Sequence, residues 1–462
     1  MSKSIDIIVP VYNGLEELKQ CVNSILENTD LTLHRLLIVD DKSPDSNVLT
    51  YLESMKHPGI VLLKNEVNLG FSASVNKGME YSDRDVILLN SDTIVTRNWV
   101  EKIMECAYSS RSIASVTPLS NAATLCSVPE FLKDNSLPEN MSGQDMADLV
   151  ERCSLKRYPR ISVAVGFCMF IKREVIDRIG LFDAKAFEKG YGEENDFCYR
   201  AEKEGFIHVM CDDTFIYHKG TASFATEEKR KLIEEHEKIL MQRHEAYVRQ
   251  NIQYCEKNPN QDLQRNIKLH LLFADKKENS LILREKLPSI EEISDGEFYA
   301  VRKSCSICVD GKIKGVHLKF AFALGYAGVT PALADEKEEA ILNQLIQAFY
   351  ITSIKESGNH FFARETKQVL EEKIQKKGRG KDEGFDAKVI LRAYMLGSNK
   401  KIAVMDEQDG LYGKRIVELE NAYETLARED KYKGEELYNI YHSKRFQLAC
   451  TLEKLIRPLK KS

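Results

Sequence analysis

Ile5-Asp6-Ile7-Ile8-Val9-Pro10-Val11-Tyr12-Asn13-Gly14 is a dense β-branched run that stops at a glycine. Apolar residues on both faces of such a run mark a strand buried on both sides of a sheet. Downstream, Leu15, Leu18, Val22, Ile25 and Leu26 repeat at helical spacing. Arg35 to Asp40 is a second apolar strand, closed by Asp40-Asp41, and Ser43-Pro44-Asp45 is a turn and helix-start signal. Ile60 to Leu63, Val86 to Leu89 and Ile113 to Thr117 continue the series, with amphipathic segments between them. This alternation predicts an α/β domain whose mostly parallel sheet is covered on both faces. Open sheets of that kind bind ligands beyond the carboxyl ends of their strands. The residues just after each apolar run are therefore the first candidates for function.

Those positions are rich in polar and small residues. Strand one delivers Pro10-Val11-Tyr12-Asn13-Gly14 and strand two Asp40-Asp41-Lys42-Ser43. Asn68-Leu69-Gly70-Phe71 leads to Asn76-Lys77-Gly78, and Asn90-Ser91-Asp92-Thr93 follows Val86 to Leu89. A strand-end carboxylate such as Asp40 can accept hydrogen bonds from a ribose or base. Gly70 and Gly78 permit close backbone approach, and Asp92 is a hard oxygen ligand suited to a Mg²⁺ or Mn²⁺ ion on a diphosphate. Any one of these residues, taken singly, reads better as a helix cap or turn. Four such clusters at successive strand ends read as a binding edge.

Taken in order, the stretches IVPVYNG, VDDKSPD, NLGFSASVNKG and LLNSDT resemble the nucleotide-binding half of the family 2 glycosyltransferases, which have the GT-A (Rossmann-like) fold. The nearest resemblance is to the rhamnosyltransferase-like branch of bacterial surface-polysaccharide synthesis, over about the first 225 residues. It implies a nucleotide-sugar site at Pro10, Tyr12, Asn13, Asp40, Asn68, Gly70, Asn76, Asn90 and Ser91. It also implies a divalent metal, Mn²⁺ or Mg²⁺, held by Asp92 and by the histidine of Ile216-Tyr217-His218-Lys219-Gly220. Gly190-Tyr191-Gly192-Glu193-Glu194-Asn195-Asp196 resembles the acidic motif that supplies the base in inverting members. By position the base falls on Glu194, with Asp196 as the alternative or as an acceptor-orienting group. Asp196 and Arg200 are four residues apart, which suits a salt bridge on one helix face. Two departures stand out: Asn90 replaces the first aspartate of the usual metal motif, and Val75 stands where many relatives have a basic residue.

The implied reaction is inverting, metal-dependent sugar transfer from a nucleotide-diphosphate sugar, UDP- or TDP-linked, to a glycan or lipid-linked acceptor hydroxyl. The alternatives are a non-catalytic nucleotide-sugar scaffold or a second transferase in the C-terminal half, for which only Asp295-Gly296-Glu297 speaks. A sugar-nucleotide pyrophosphorylase would place a glycine-rich basic loop after strand one, and Val11-Tyr12-Asn13-Gly14 is not one. Thr117 to Asn121 and Ala164 to Phe170 are expected as site walls, and Thr221 to Phe224 as a segment closing over the donor.

The rest of the chain divides by pattern. Residues 1–225 form the expected GT-A domain, 226–265 an amphipathic helical connector and 266–462 an α-rich domain with one hairpin, Ser304 to Val309 and Lys312 to Leu318 around Asp310-Gly311. Cys305-Ser306-Ile307-Cys308 has no second pair nearby and reads as structural. Lys376 to Gly384 is an expected loop and Glu418 to Ile456 a helix. Leu437 to Lys461 mixes leucines with lysines and arginines, as suits packing, a homodimer contact or an anionic membrane surface. The 66 Lys+Arg nearly balance 71 Asp+Glu, for a net charge of −5, which gives no case for a nucleic-acid partner. No secretory signal is legible before Ile5, and the longest apolar runs, Ser162 to Ile171 and Phe320 to Val329, are too short to span a bilayer. Eleven cysteines without a framework read as reduced thiols in a cytoplasmic protein, peripheral at the membrane at most.

Overall fold

The computed structural model of the 462-residue chain describes residues 3–220, 227–274, 278–303 and 306–323, with scattered positions between 338 and 374. These fall into two compact units, one up to Gln261 and one from Asp262. The first begins β1 (Ile5–Val11), α1 (Leu15–Asn28), β2 (Arg35–Asp40), α2 (Ser46–Ser54), β3 (Ile60–Lys64), α3 (Phe71–Tyr81) and β4 (Asp85–Leu89). It continues β5 (Thr93–Ile94), α4 (Trp99–Tyr108), β6 (Ile113–Leu119), α5 (Gly143–Cys153), β7 (Arg160–Ile161), β8 (Cys168–Ile171) and α6 (Arg173–Ile179). Then come α7 (Glu193–Lys203), β9 (Ile207–Phe215), β10 (Tyr217–His218) and α8 (Glu227–Lys257).

Eight strands form one sheet in the order β3-β2-β1-β4-β8-β6-β9-β7. Ile5, Ile7, Ile8 and Val9 are fully buried, which is why the first strand reads as a continuous apolar run. The strands from β3 to β4 are all parallel. The other half is mixed: β8 runs antiparallel to both β4 and β6, and β7 antiparallel to β9. The sheet is thus less parallel than the sequence pattern predicts, because β8 enters between β4 and β6 and runs against both. The chain builds outward from β1 to β3, then crosses back to lay β4 on the other side of β1. That reversal is a switch point, and open sheets of this kind bind ligands beyond the carboxyl ends of the strands there, β1 and β4. A separate two-stranded ladder, β5 with β10, sets His218 opposite Thr93.

In the second unit, α9 (Gln261–Leu272) is followed by β11 (Asn279–Arg284), β12 (Glu297–Arg302), β13 (Ser306–Ile313), β14 (Val316–Ala323) and β15 (Ile351–Ser357). They form one sheet, β14-β13-β12-β11-β15. This corrects the expectation of helices with one hairpin for the described residues from 266 onward. The overlooked signal is period-two burial: Leu281 and Leu283, and Phe298 and Ala300, enter one core with Ile307 and Val309 of the expected hairpin. The hairpin exists, but its turn is Lys314-Gly315, both at positive φ, while Asp310 and Gly311 pair mid-strand with Tyr299 and Phe298. The Asp295 carboxylate accepts the Gly315 N–H at 2.7 Å and Glu297 the Tyr299 hydroxyl at 2.9 Å, so Asp295-Gly296-Glu297 serves as a turn. Cys305, Thr221 to Phe224, Lys376 to Gly384, Glu418 to Ile456 and the basic tail lie outside the described residues. Among the described residues no helix is long and apolar enough to cross a membrane.

Candidate active site

The loops after β1 and β2 lie at the carboxyl edge of the sheet. Asn13 and Gly14 turn the chain sharply, at φ 62° and 70°. The Asn13 N–H donates to Ser43 Oγ at 3.0 Å, and its side-chain oxygen accepts the Asp45 N–H at 3.2 Å. Asp40, buried at the end of β2, accepts the Ser43 N–H at 3.2 Å. Pro10 is half-buried, while the Tyr12 ring is 54% exposed at the switch point, an open aromatic face at a strand end. Such a face suits stacking against a flat ring.

Asp41 anchors the neighbouring loop, a role the sequence reading missed. Its buried carboxylate accepts the Leu69 and Gly70 N–H groups and the Asn65 amide, each at 2.8 Å. Asn68 stands exposed on that loop. Gly70 was expected to let a ligand approach; instead it lets another chain segment approach. A Cβ placed there would lie 2.2 Å from the Glu188 carbonyl oxygen. Ser72 donates to the Phe187 carbonyl at 2.6 Å. Asn76 exchanges two hydrogen bonds with the Phe182 backbone, at 2.9 and 3.1 Å. The first turns of α3 therefore carry segment 182–188, which leads directly into the acidic motif.

Beyond β4, Asn90 donates its N–H to the Phe167 carbonyl at 2.8 Å, and its own carbonyl accepts the Thr93 hydroxyl at 2.8 Å. Cys21 backs that turn with its thiol pushed up to about 12 by burial, which keeps it a protonated packing group. Ser91 and Asp92 follow, partly buried. The β5–β10 ladder brings His218 to Asp92, with Nε2 to Oδ1 at 3.3 Å. Asn121 grips the His218 backbone on both sides, at 2.8 and 2.9 Å. Phe167 stacks on the imidazole at 5.2 Å. Both expected site walls thus act on the histidine itself.

The His218 tautomer follows from its surroundings. Nδ1 lies 2.6 Å from the Ala122 carbonyl oxygen, which can only accept, so Nδ1 carries a hydrogen and Nε2 faces Asp92. Burial alone lowers the His218 pKa, but the Asp92 hydrogen bond and charge and the Ala122 carbonyl outweigh it, and the pKa is raised. The pair is thus built to share a positive charge, carried by a proton on Nε2 or by a cation. One carboxylate and one oriented imidazole are a fitting but incomplete set for Mn²⁺ or Mg²⁺. Among the described residues no three His, Cys, Asp or Glu side chains converge to hold a metal alone. Ligand oxygens would have to complete the shell.

The acidic motif begins α7. Gly190, Tyr191 and Gly192 all have positive φ, at 91°, 68° and 130°, and swing the chain into the helix. Glu193 is 4% exposed and its Oε2 has no hydrogen-bond partner. Burial, and then the charge of Glu194, push the Glu193 pKa well above the carboxylate range. Burial also raises Glu194, against the pull of N–H groups at Gly192 and its own backbone. Adjacent carboxyls in this setting share one proton, leaving one oxygen pair basic and the other acidic. Asp196 differs. It is 2% exposed, with Oδ2 on Arg200 at 2.8 Å and Oδ1 on His244 at 2.8 Å. The expected Asp196–Arg200 bridge is present, and both carboxylate oxygens are occupied.

A stability prediction follows from Glu193. A raised pKa in the fold means that the native state binds more protons than the unfolded chain above pH ~4.3. Stability at that site is therefore complete below this pH and falls as pH rises. Glu193→Gln should match the wild-type melting temperature near pH ~4 and exceed it by a growing margin toward pH ~8. Equal melting curves at both pH values would remove the buried proton.

Residues 6–180 match the family described as glycosyl transferase family 2. Glycosyltransferase GlyG of Streptococcus pneumoniae is 27% identical over 106 residues, covering 23% of this chain and 35% of that protein. Low-salt glycan biosynthesis hexosyltransferase Agl10 of Haloferax volcanii is 24% identical over 224 residues, 46% of this chain and 66% of that one. The chain thus spans about a third of the first relative and just under two thirds of the second. A solved structure of GalNAc-T7 with UDP, GalNAc and Mn²⁺ superposes with a TM-score of 0.38 at 16% identity, over 47% of this chain and 44% of that one. Over residues 6–180 the chain is thus similar to the family 2 glycosyl transferases.

Proposed function

We propose that the protein transfers a sugar from a nucleotide-diphosphate donor to an acceptor hydroxyl, with inversion at the anomeric carbon. The observation that carries this reading is the Asp92–His218 pair, set just beyond β4 at the β1/β4 switch point with Nε2 turned to the carboxylate. Tyr12, Asn13 and Asp40 bind the base and ribose, with Pro10, Asn68, Gly70 and the Asn90-Ser91 turn shaping the same edge. Asn76 acts at one remove, by carrying Phe182. A divalent cation, when bound, would offset the charge of the departing diphosphate, and Asp92 and His218 would hold it. Glu194 takes the acceptor proton as the new bond from oxygen to the anomeric carbon forms. The bond to the diphosphate breaks as that bond forms, and its electron pair leaves with the phosphate.

The resemblance to the rhamnosyltransferase-like branch favours a UDP- or TDP-linked hexose or deoxyhexose and a glycan or lipid-linked acceptor of the bacterial surface. The proposed setting is the cytoplasm or the inner face of the membrane, in keeping with nine free cysteines among the described residues. The test is a thermal-shift panel of UDP, TDP, GDP and CMP, with and without Mn²⁺, on wild type and Asp92→Ala. One diphosphate should raise the melting temperature in a metal-dependent way, and Asp92→Ala should lose that increment. No shift with any nucleotide at saturation, on folded protein, would overturn the donor assignment.

A further inference from the structure

We infer that helix α8 is a built-in clamp on the acidic motif, and that His244 and His236 are positioning residues for Glu194. The inference deepens the transferase reading and rests on it. Helix α8 meets the motif at successive turns. His236 lies with Nδ1 2.9 Å from the Tyr191 carbonyl oxygen, and its ring meets Phe187 edge-on at 5.2 Å. Leu240 packs on Gly192, where an added Cβ would sit 3.3 Å from Leu240 Cδ1. Arg243 donates to Asp183 at 2.9 Å and lies 3.6 Å from Asp196. His244 Nε2 donates to Asp196 Oδ1 at 2.8 Å, and the imidazole packs on Tyr199 at 4.4 Å. Glu193 and Glu194 lie between the Tyr191 and Asp196 contacts in the chain.

Two local irregularities show that these contacts shape the helix rather than follow from it. Residues 227–257 contain neither proline nor glycine, yet α8 breaks at His244, where φ is −143° and ψ 41°. Sharp kinks otherwise have a proline, a glycine or serine pair, a bulge or an inserted group as their cause. Here the break coincides with the bond to Asp196. His244 Nδ1, in turn, is buried with no hydrogen-bond partner, which carries a desolvation cost. At the other contact, Tyr191 occupies a left-handed conformation at φ 68°, unfavourable for a residue with a Cβ. The His236 bond holds its carbonyl in that conformation. Both ends of the Glu193-Glu194 segment are therefore fixed by histidines of one helix, 48 and 45 residues away in sequence.

A base that is displaced by about 1 Å loses about 10²-fold in rate. His244→Ala should therefore lower kcat by about ten- to a hundredfold while the donor KM stays near wild type. His244→Gln, whose amide can donate to Asp196, should restore most of the loss. The assay is diphosphate release from UDP-, TDP- and GDP-hexoses with water as acceptor. Amide hydrogen exchange gives an activity-independent readout: exchange should speed up over residues 190–198 in His244→Ala and stay unchanged in β1. His236→Ala is the second variant, with the same signature centred on residues 190–192. Unchanged exchange and kcat in both variants would overturn the clamp, as would a loss of kcat and donor binding together that His244→Gln does not rescue. A wild-type protein that binds no nucleotide would instead overturn the transferase reading, and hydrogen exchange would still decide the clamp.

Discussion

Glu194→Gln is expected to lose about 10²- to 10⁴-fold in kcat, with donor binding and melting temperature close to wild type. The substitution keeps shape and removes the group that accepts a proton. Donor contacts assigned to Tyr12, Asn13 and Asp40 belong to other elements, so the KM for the nucleotide sugar should hold. Asp196→Asn should behave differently, because Asp196 holds Arg200 and His244 rather than facing an acceptor. Arg200 also donates to the Ile179 and Leu181 carbonyls, so loosening it disturbs the α6–α7 connection. Asp196→Asn should therefore lower the melting temperature along with the rate. The pH profile separates the two further. Burial raises the Glu194 pKa, and the base works only when ionised, so the acidic limb of kcat should lie above the usual carboxylate range. If Glu194→Gln turned over like wild type while Asp196→Asn was inactive yet stable, the base would be Asp196.

That division of labour between Glu194 and Asp196 was only half legible in the sequence. Spacing shows that both fall in the first turn of one helix, and it shows the Asp196–Arg200 bridge. It cannot show that His244, 48 residues on, takes the other oxygen of Asp196. A histidine in a charged amphipathic helix looks like any solvated residue until the helix is placed. The strands of the first unit were legible for the opposite reason: residues such as Ile7, Ile8 and Val9, buried on both faces, leave an unbroken apolar run that local sequence alone displays. The Asp92–His218 pair is intermediate. Its residue types suit a cation, but only resemblance linked two positions that a two-residue ladder joins in space. Asp41 escaped notice because Asp40 beside it fits the expected role, and adjacent strand residues point opposite ways. In the second unit, β11 and β12 are strands of six residues whose mixed composition does not separate them from helix. Lys314-Gly315 was overlooked because Asp310-Gly311 is the better-known turn pair.

Gly70→Ala is expected to be the most damaging single-methyl change in the first unit, destabilising it by about 2–6 kcal/mol. Two independent causes add. Gly70 sits at φ 81° and ψ 174°, a region essentially closed to residues with a Cβ. A methyl group there would also stand 2.2 Å from the Glu188 carbonyl oxygen, which is backbone and cannot swing aside. Relief requires either the 65–70 loop or segment 182–190 to move. Moving the loop breaks the two N–H bonds to buried Asp41 and leaves its carboxylate short of partners. Moving the segment pulls on Phe187 and Phe182, which α3 holds through Ser72 and Asn76, and so displaces Gly190 and the Glu193-Glu194 turn. Stability and turnover should therefore fall together in Gly70→Ala, whereas Glu194→Gln separates them. Urea unfolding reads the first as a lower midpoint at unchanged slope. A Gly70→Ala protein within about 0.5 kcal/mol of wild type would mean that the loop and the acidic motif are not in the close contact described. Reduced stability with full activity would mean that the contact supports the fold without setting the position of Glu194.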